Sequence, residues 1–154
     1  MSSFTITSAD PLDPPVSDLI REWLALSAAT TPDPRSRHAF PVERLADPRV
    51  SFFVARTQRA DLLGCGALYR HDGGLGEVKS MYVRPQARRL GVARALLQQV
   101  EAAAREAGLA RLSLETGAAF APAIALYRAA GFIPCEPFAA YRPDPLSVFL
   151  TKAL

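Results

Sequence analysis

A mixed α/β fold follows from three features of this 154-residue sequence. Three strand-like segments stand in series between residues 51 and 83 with only short turns between them. The stretch from Val92 to Ala107 repeats its apolar residues at helical spacing. After it, strand, helix and strand patterns alternate to the C-terminus. One hydrophobic core is the usual solution for a chain of this length, so the expected organisation is a single domain over residues 1–154.

Each element has its own cause. Phe4 to Ser8 alternates apolar and polar residues as a first strand, and the proline-rich run from Asp10 to Pro15 leads into a helix. That helix spans Val16 to Ala29, with Leu19, Ile20, Trp23, Leu24 and Leu26 largely on one face. Pro32 and Pro34 stop it, because proline has no N–H to donate. Pro41 opens a second short helical piece through Leu45, since proline is comfortable in a first turn. Ser51–Thr57, Leu62–His71 and Glu77–Val83 read as strands, and the turn residues Arg59-Ala60-Asp61 and Asp72-Gly73-Gly74 between them predict an antiparallel meander. From Val92 to Ala107, residues Ala93, Leu96, Leu97, Val100, Ala103, Ala104 and Ala107 form one buried stripe, closed by Gly108 as a C-terminal cap. Ala110–Thr116 reads as a strand, Pro122–Ala130 as a helix ending at Gly131, and Ser147–Lys152 as a closing strand. No internal repeat or linker interrupts the series.

Composition narrows the function classes. Hydrophobic residues at 49% and charged residues at 21% describe a chain that folds. No apolar run approaches the roughly 20 residues of a membrane helix, and the first residues lack signal-peptide regions, so a cytoplasmic protein without a membrane partner is expected. Cys65 and Cys135 have neither metal-ligand spacing nor a neighbouring histidine; both read as buried small apolar residues, and no metal is expected. His38 and His71 stand far apart and without evident partners. Trp23 reads as core, and Tyr69 and Tyr141 as either pocket lining or packing.

The charge pattern points to one segment. Between Val78 and Val100 there is no acidic residue, while Lys79, Arg84, Arg88, Arg89 and Arg94 are all positive, which reads as a local anion site. A strand runs through Val83, the chain turns at Arg84-Pro85, and Arg88-Arg89-Leu90-Gly91-Val92-Ala93 enters the long helix. The first N–H groups of a helix have no intrahelical acceptor and carry the positive end of its dipole, so an anion is favoured there. Gly91 and Ala93 let a phosphate approach the backbone, and Arg88 and Arg89 add charge-assisted hydrogen bonds. No GxxxxGK[ST] and no GxGxxG after a strand is present, so neither a nucleoside triphosphatase nor a dinucleotide-binding turn is supported.

Arg88 to Ala93 resembles the [Q/R]xxGx[G/A] signature of the GCN5-related N-acetyltransferase (GNAT) superfamily, set between a YVRP strand end and an ALL helix as in that family. Downstream, Ala125 to Phe132 (ALYRAAGF) resembles the family's ALYxxxGF segment, and the order of elements is similar along nearly the whole chain. The tail from Asp144 to Leu150 resembles a bacterial subgroup of uncharacterised acetyltransferases ending in a similar DPLSVF strand. The chain departs from the pattern at Ala93, often a glycine, at Leu90, often polar or basic, and between Glu115 and Phe120, where no residue matches the family's usual asparagine.

The resemblance implies a mostly antiparallel sheet splayed between its fourth and fifth strands, with the pantetheine arm of acetyl-CoA in the gap. Met81, Tyr82 and Val83 would then face the pantetheine, with main-chain bonds from Met81 and Val83. Arg88, Arg89, Leu90, Gly91, Val92 and Ala93 would hold the pyrophosphate. It implies direct attack of an amine on the acetyl thioester, in keeping with the absence of an evident nucleophile pairing. Tyr127 matches the tyrosine that protonates the leaving sulfur, its other reading being a core aromatic. Glu77 matches a position that supplies a base, directly or through water, its other reading being a solvated carboxylate at a strand start. For Lys79 a solvated role is expected. The acceptor is expected to be a small-molecule or amino-acid amine, with a protein amine or a non-catalytic acyl-CoA sensor as alternatives. Nucleic-acid binding lacks the basic and aromatic interleaving it needs. The sequence leaves a homodimer open.

Overall fold

The computed structural model describes residues 3–154; the first two residues of the expected domain lie outside the described residues. Along the chain stand β1 (Phe4–Ser8), α1 (Pro14–Thr30), α2 (Val42–Leu45), β2 (Val50–Thr57), β3 (Leu62–Arg70), β4 (Leu75–Val83), α3 (Val92–Glu106), β5 (Arg111–Gly117), α4 (Ala121–Ala129), β6 (Ile133–Pro134) and β7 (Ser147–Ala153). The strands form one sheet in the order β1-β2-β3-β4-β5-β7-β6. All neighbours are antiparallel except β4 and β5, which run parallel because α3 carries the chain across between them.

The parallel pair is short. Leu75 faces Arg111, Gly76 faces Leu112 and Glu77 faces Ser113, and there the register ends. β4 nevertheless stays paired with β3 as far as Val83, and β5 with β7 as far as Gly117. The two halves of the sheet therefore part beyond Glu77 and leave a wedge-shaped cleft with Glu77 at its apex.

On the β4 wall of that cleft the ladder slips between Cys65 and Ala67, so that Ser80 and Met81 stand opposite the single residue Gly66. Ser80 takes the left-handed conformation, φ +55°, that such a bulge uses. A Cβ at Gly66 would lie 2.6 Å from the Met81 sulfur, so a larger residue there would push that flexible side chain aside. The extra residue shifts the side-chain alternation by one. Val78 before the bulge and Met81 and Val83 after it all turn toward α3, while Tyr82 turns toward α1.

Two apolar cores hold the sheet. Under α3 and α4 lie Leu68, Val78, Leu96, Leu97, Val100, Leu112, Leu114, Phe132 and Leu150. On the opposite face α1 and α2 bury Val16, Leu19, Ile20, Leu45, Val54 and Cys65 against β2, β3 and β4. The segment from Cys135 to Leu146 covers β5 and β7 on that second face, where Phe138 and Tyr141 pack on Phe149 with ring centroids 6.1 and 5.5 Å apart. Gly108, at φ +73°, ends α3 as expected, its N–H reaching Arg105 O at 3.0 Å. β4 begins two residues before its expected start, at Leu75, and the two-residue β6 was not expected. Among the described residues no helix is long and apolar enough to cross a membrane.

Candidate active site

The turn into α3 is built as a cradle of donors. Arg89 at φ +65° and Gly91 at φ +81° are left-handed on either side of Leu90, which turns successive N–H groups toward a common side. The first helical bond is Ala95 N–H to Gly91 O, 3.1 Å. Among the described residues the N–H groups of residues 89 to 94 have no protein acceptor. A Cβ on Gly91 would meet nothing within 4 Å, so glycine is needed there for its backbone conformation, and the surface beside it is open. Arg88, Arg89 and Arg94 are exposed and pair with no carboxylate among the described residues.

The basic segment is not one anion site, as its charge pattern had suggested. Arg84 is spent on Glu22 of α1, with Nη2 2.8 Å from Oε2 and Nε 3.1 Å from Oε1, and it also donates to Leu62 O. Lys79 points to the other face, buried at 7% exposure, so the solvated role expected for it is corrected. Three arginines remain at the cradle.

Between the cradle and the apex runs the β4 wall. Arg84 N–H bonds Leu63 O on β3; by the two-residue alternation of strand hydrogen bonding, the main chains of Val83 and Met81 turn to the cleft. Tyr82 sends its ring to α1, 6.3 Å from the Trp23 ring. Trp23 is half-buried between Tyr82 and Phe120, and its Nε1 is buried without a hydrogen-bond partner among the described residues.

At the apex Glu77 is 2% exposed, which removes the reading of a solvated carboxylate. Its Oε1 lies 2.8 Å from His71 Nε2, and its Oε2 accepts from Tyr141 Oη at 2.5 Å with Lys79 Nζ at 3.3 Å. Burial pushes the carboxyl up, but the bonds from His71 and Tyr141 and the charge of Lys79 outweigh it and hold Glu77 below the ordinary carboxylate value. Lys79 Nζ is also spoken for, by His38 O at 2.9 Å and Tyr141 Oη at 3.0 Å. The two histidines, read from sequence as unpartnered, thus meet one network: His71 through its ring, and His38 through its carbonyl and an edge contact with Tyr141 at 5.0 Å. Tyr69 packs its ring on His71 at 4.6 Å.

Tyr127 approaches from the α4 side, packed on Phe132 and 5% exposed. Its hydroxyl has no hydrogen bond among the described residues. Burial, helped by the charge of Glu115, drives the phenol far above its ordinary value, so it holds its proton throughout the working pH range. Glu115 lies on β5 two residues past the last β4 pair, in phase with Ser113 and out of phase with the core residues Leu112 and Leu114. Ser147 Oγ donates to its Oε2 at 2.7 Å, while Oε1 has no partner among the described residues. Burial raises the Glu115 carboxyl above its ordinary value, against the Ser147 bond and the charges of His38 and Lys79. No motif covers Glu115; its alternation, with Ser113, against Leu112 and Leu114 is the sequence signal that marks it.

Cys65 is fully buried and its thiol is pushed up to about 12, which makes it inert, whereas Cys135 is half-buried rather than buried as expected. Among the described residues no group of three or more histidine, cysteine, aspartate or glutamate side chains is gathered to hold a metal ion.

Among the described residues the sheet splits at its one parallel pair, with the donor cradle at the turn into α3 and Tyr127 packed on the α4 side. The model of the acetyltransferase (GNAT) family matches residues 19–132. An IAA acetyltransferase from Azospirillum brasilense is 43% identical over all of this chain and all of its own. A Klebsiella pneumoniae protein provisionally named an acyl-CoA N-acyltransferase has a crystal structure that superposes with a TM-score of 0.82 at 36% identity, covering 98% of this chain and 97% of its own. A GNAT family acetyltransferase from Elizabethkingia anophelis, with acetyl-CoA bound, shares the fold at a TM-score of 0.70 and 18% identity, covering 98% of each chain. The chain belongs to the acetyltransferase (GNAT) family and is an enzyme of that class.

Proposed function

We propose that this protein is one N-acetyltransferase domain over residues 1–154 that moves the acetyl group of acetyl-CoA directly to a primary amine of a small molecule or amino acid. The observation that carries this reading is the cradle of unbonded N–H groups at residues 89 to 94, opening onto the split between β4 and β5. A diphosphate fits such a cradle by charge and by hydrogen-bond supply, and Arg88 and Arg89 add cationic donors beside it. Leu90, Gly91, Val92 and Ala93 contribute backbone, and the main chains of Met81 and Val83, flanking Tyr82, are placed for the amides of a pantetheine arm. When bound, the cosubstrate supplies an activated acetyl thioester.

The protein's side chains divide the remaining work. Tyr127 donates its proton to the departing thiolate: the phenol is held in its protonated form, and among the described residues no hydrogen bond competes for that proton. Glu77 stays ionised at the apex, paired with Lys79, and its carboxylate holds the His71 ring and the Tyr141 hydroxyl in place around the cleft. The half-buried aromatic rings of Tyr69, Phe138 and Tyr141 on that same face suit an acceptor with an apolar body. The test is incubation of the protein with acetyl-CoA and a panel of aliphatic, aromatic and α-amino acid amines, reading free thiol against time. Amine-dependent thiol release supports the proposal. Tight acetyl-CoA binding without thiol release from any amine or peptide would instead mark an acyl-CoA sensor.

A further inference from the structure

We infer that Glu115 is the group that takes the proton from the substrate ammonium, acting from the face of the cleft opposite Tyr127; this rests on the acetyl-transfer reading above. Three placements carry it. Glu115 lies on β5 just past the point where β4 and β5 part, so its side chain stands at the opened part of the sheet rather than in the paired part. It shares the Glu77 and Ser113 face, toward the segment from Cys135 to Leu146, whereas Tyr127 belongs to the core under α3 and α4. An amine entering on the first face and a thiolate leaving on the second each meet one proton-transfer group. Finally, Ser147 Oγ fixes Oε2 and leaves Oε1 free to accept.

Glu77, the other carboxyl in the cleft, is unsuited to this step. Both of its oxygens are taken by His71, Tyr141 and Lys79, it is 2% exposed, and it is held below the ordinary carboxylate value. Glu115 differs on each count: one oxygen is open, the residue is half-buried, and burial raises its basicity toward the working pH. The titratable groups around it are Tyr127 on α4, Glu77 and Lys79 on β4, and His38 in the segment before α2, with the Ser147 hydroxyl on β7.

The step balances as follows. The ammonium gives one proton to the Glu115 carboxylate and becomes a neutral amine. Its lone pair forms the C–N bond, the C–S bond breaks, and the sulfur leaves with the bonding pair as a thiolate that takes the Tyr127 proton. The second proton of the new amide nitrogen restores the phenol. Glu115 returns its proton to solvent.

The test is Glu115→Gln, which keeps an acceptor for Ser147 Oγ, assayed with a primary alkylamine accepted by the wild type and with hydroxylamine, whose nitrogen is already unprotonated at neutral pH. We expect kcat/KM for the alkylamine to fall about 100- to 10,000-fold. Its acid limb should disappear, while acetyl-CoA affinity by calorimetry and the hydroxylamine rate stay within a few-fold of wild type. Wild-type rate and pH profile in the variant would overturn the assignment, as would equal losses for both acceptors. Glu115→Asp supplies the control for folding, since partial recovery requires a carboxylate and not merely the shape of the site. A wild-type protein that binds no acetyl-CoA would overturn the parent reading, a result distinguishable from failure of the Glu115 assignment alone.

Discussion

Replacing Tyr127 by phenylalanine should separate stability from activity more cleanly than any other change at this site. The substitution removes one oxygen from a ring that is 5% exposed and packed 5.9 Å from Phe132. That oxygen has no hydrogen bond among the described residues, so its loss breaks no pairing, and stability should stay within about 1 kcal/mol of wild type. The same oxygen is the proposed donor to the thiolate. Losing general-acid assistance costs about 100- to 10,000-fold in rate, or about 3 to 5 kcal/mol in the barrier. The assay pairs a thermal melt with initial rates of thiol release at saturating acetyl-CoA. Full rate in the variant would refute the proton-donor role. A fall in rate that only tracked a fall in melting temperature would return Tyr127 to a packing role.

Other consequences can be checked independently. Gly91→Glu should abolish acetyl-CoA binding in calorimetry by setting a carboxylate beside the cradle, and a non-glycine residue at φ +81° should cost about 1–2 kcal/mol in urea unfolding. Lys79→Met leaves the buried Glu77 charge short of its cationic partner and should destabilise the fold by about 3–5 kcal/mol. Because the folded Glu77 value lies below the unfolded one, the stabilisation is complete above the ordinary value of 4.5 and is lost as pH falls through the folded value. Glu77→Gln should therefore flatten the acid side of the stability profile below that point, as followed by circular dichroism.

The backbone of this fold was largely legible because its signals are local. The α3 stripe, the glycine at its end, the meander turns and the Arg88 to Ala93 turn all lie within a few residues of what they determine. The polar centre of the site was not legible, because its contacts span the chain: Tyr141 reaches Glu77 across 64 positions and His38 meets Lys79 across 41. Burial of Lys79 follows from the strand phase set by Glu77 and from covering segments that carry no motif. The bulge at Ser80 is silent in the sequence for another reason. A serine gives no warning of a positive φ, and the two-against-one pairing with Gly66 shows only in the register of β3 and β4. Arg84 shows the same limit: a basic side chain reads alike in sequence whether it faces an anion or pairs with Glu22 on a distant helix.

The decisive measurement is a crystal structure of the protein grown with acetyl-CoA. The diphosphate oxygens should lie about 2.7–3.2 Å from backbone nitrogens within residues 89 to 94, with the thioester in the gap between β4 and β5 beside Tyr127. A coenzyme bound elsewhere, or a cradle filled by the protein's own side chains while saturating acetyl-CoA is present, would contradict the proposed mode of action.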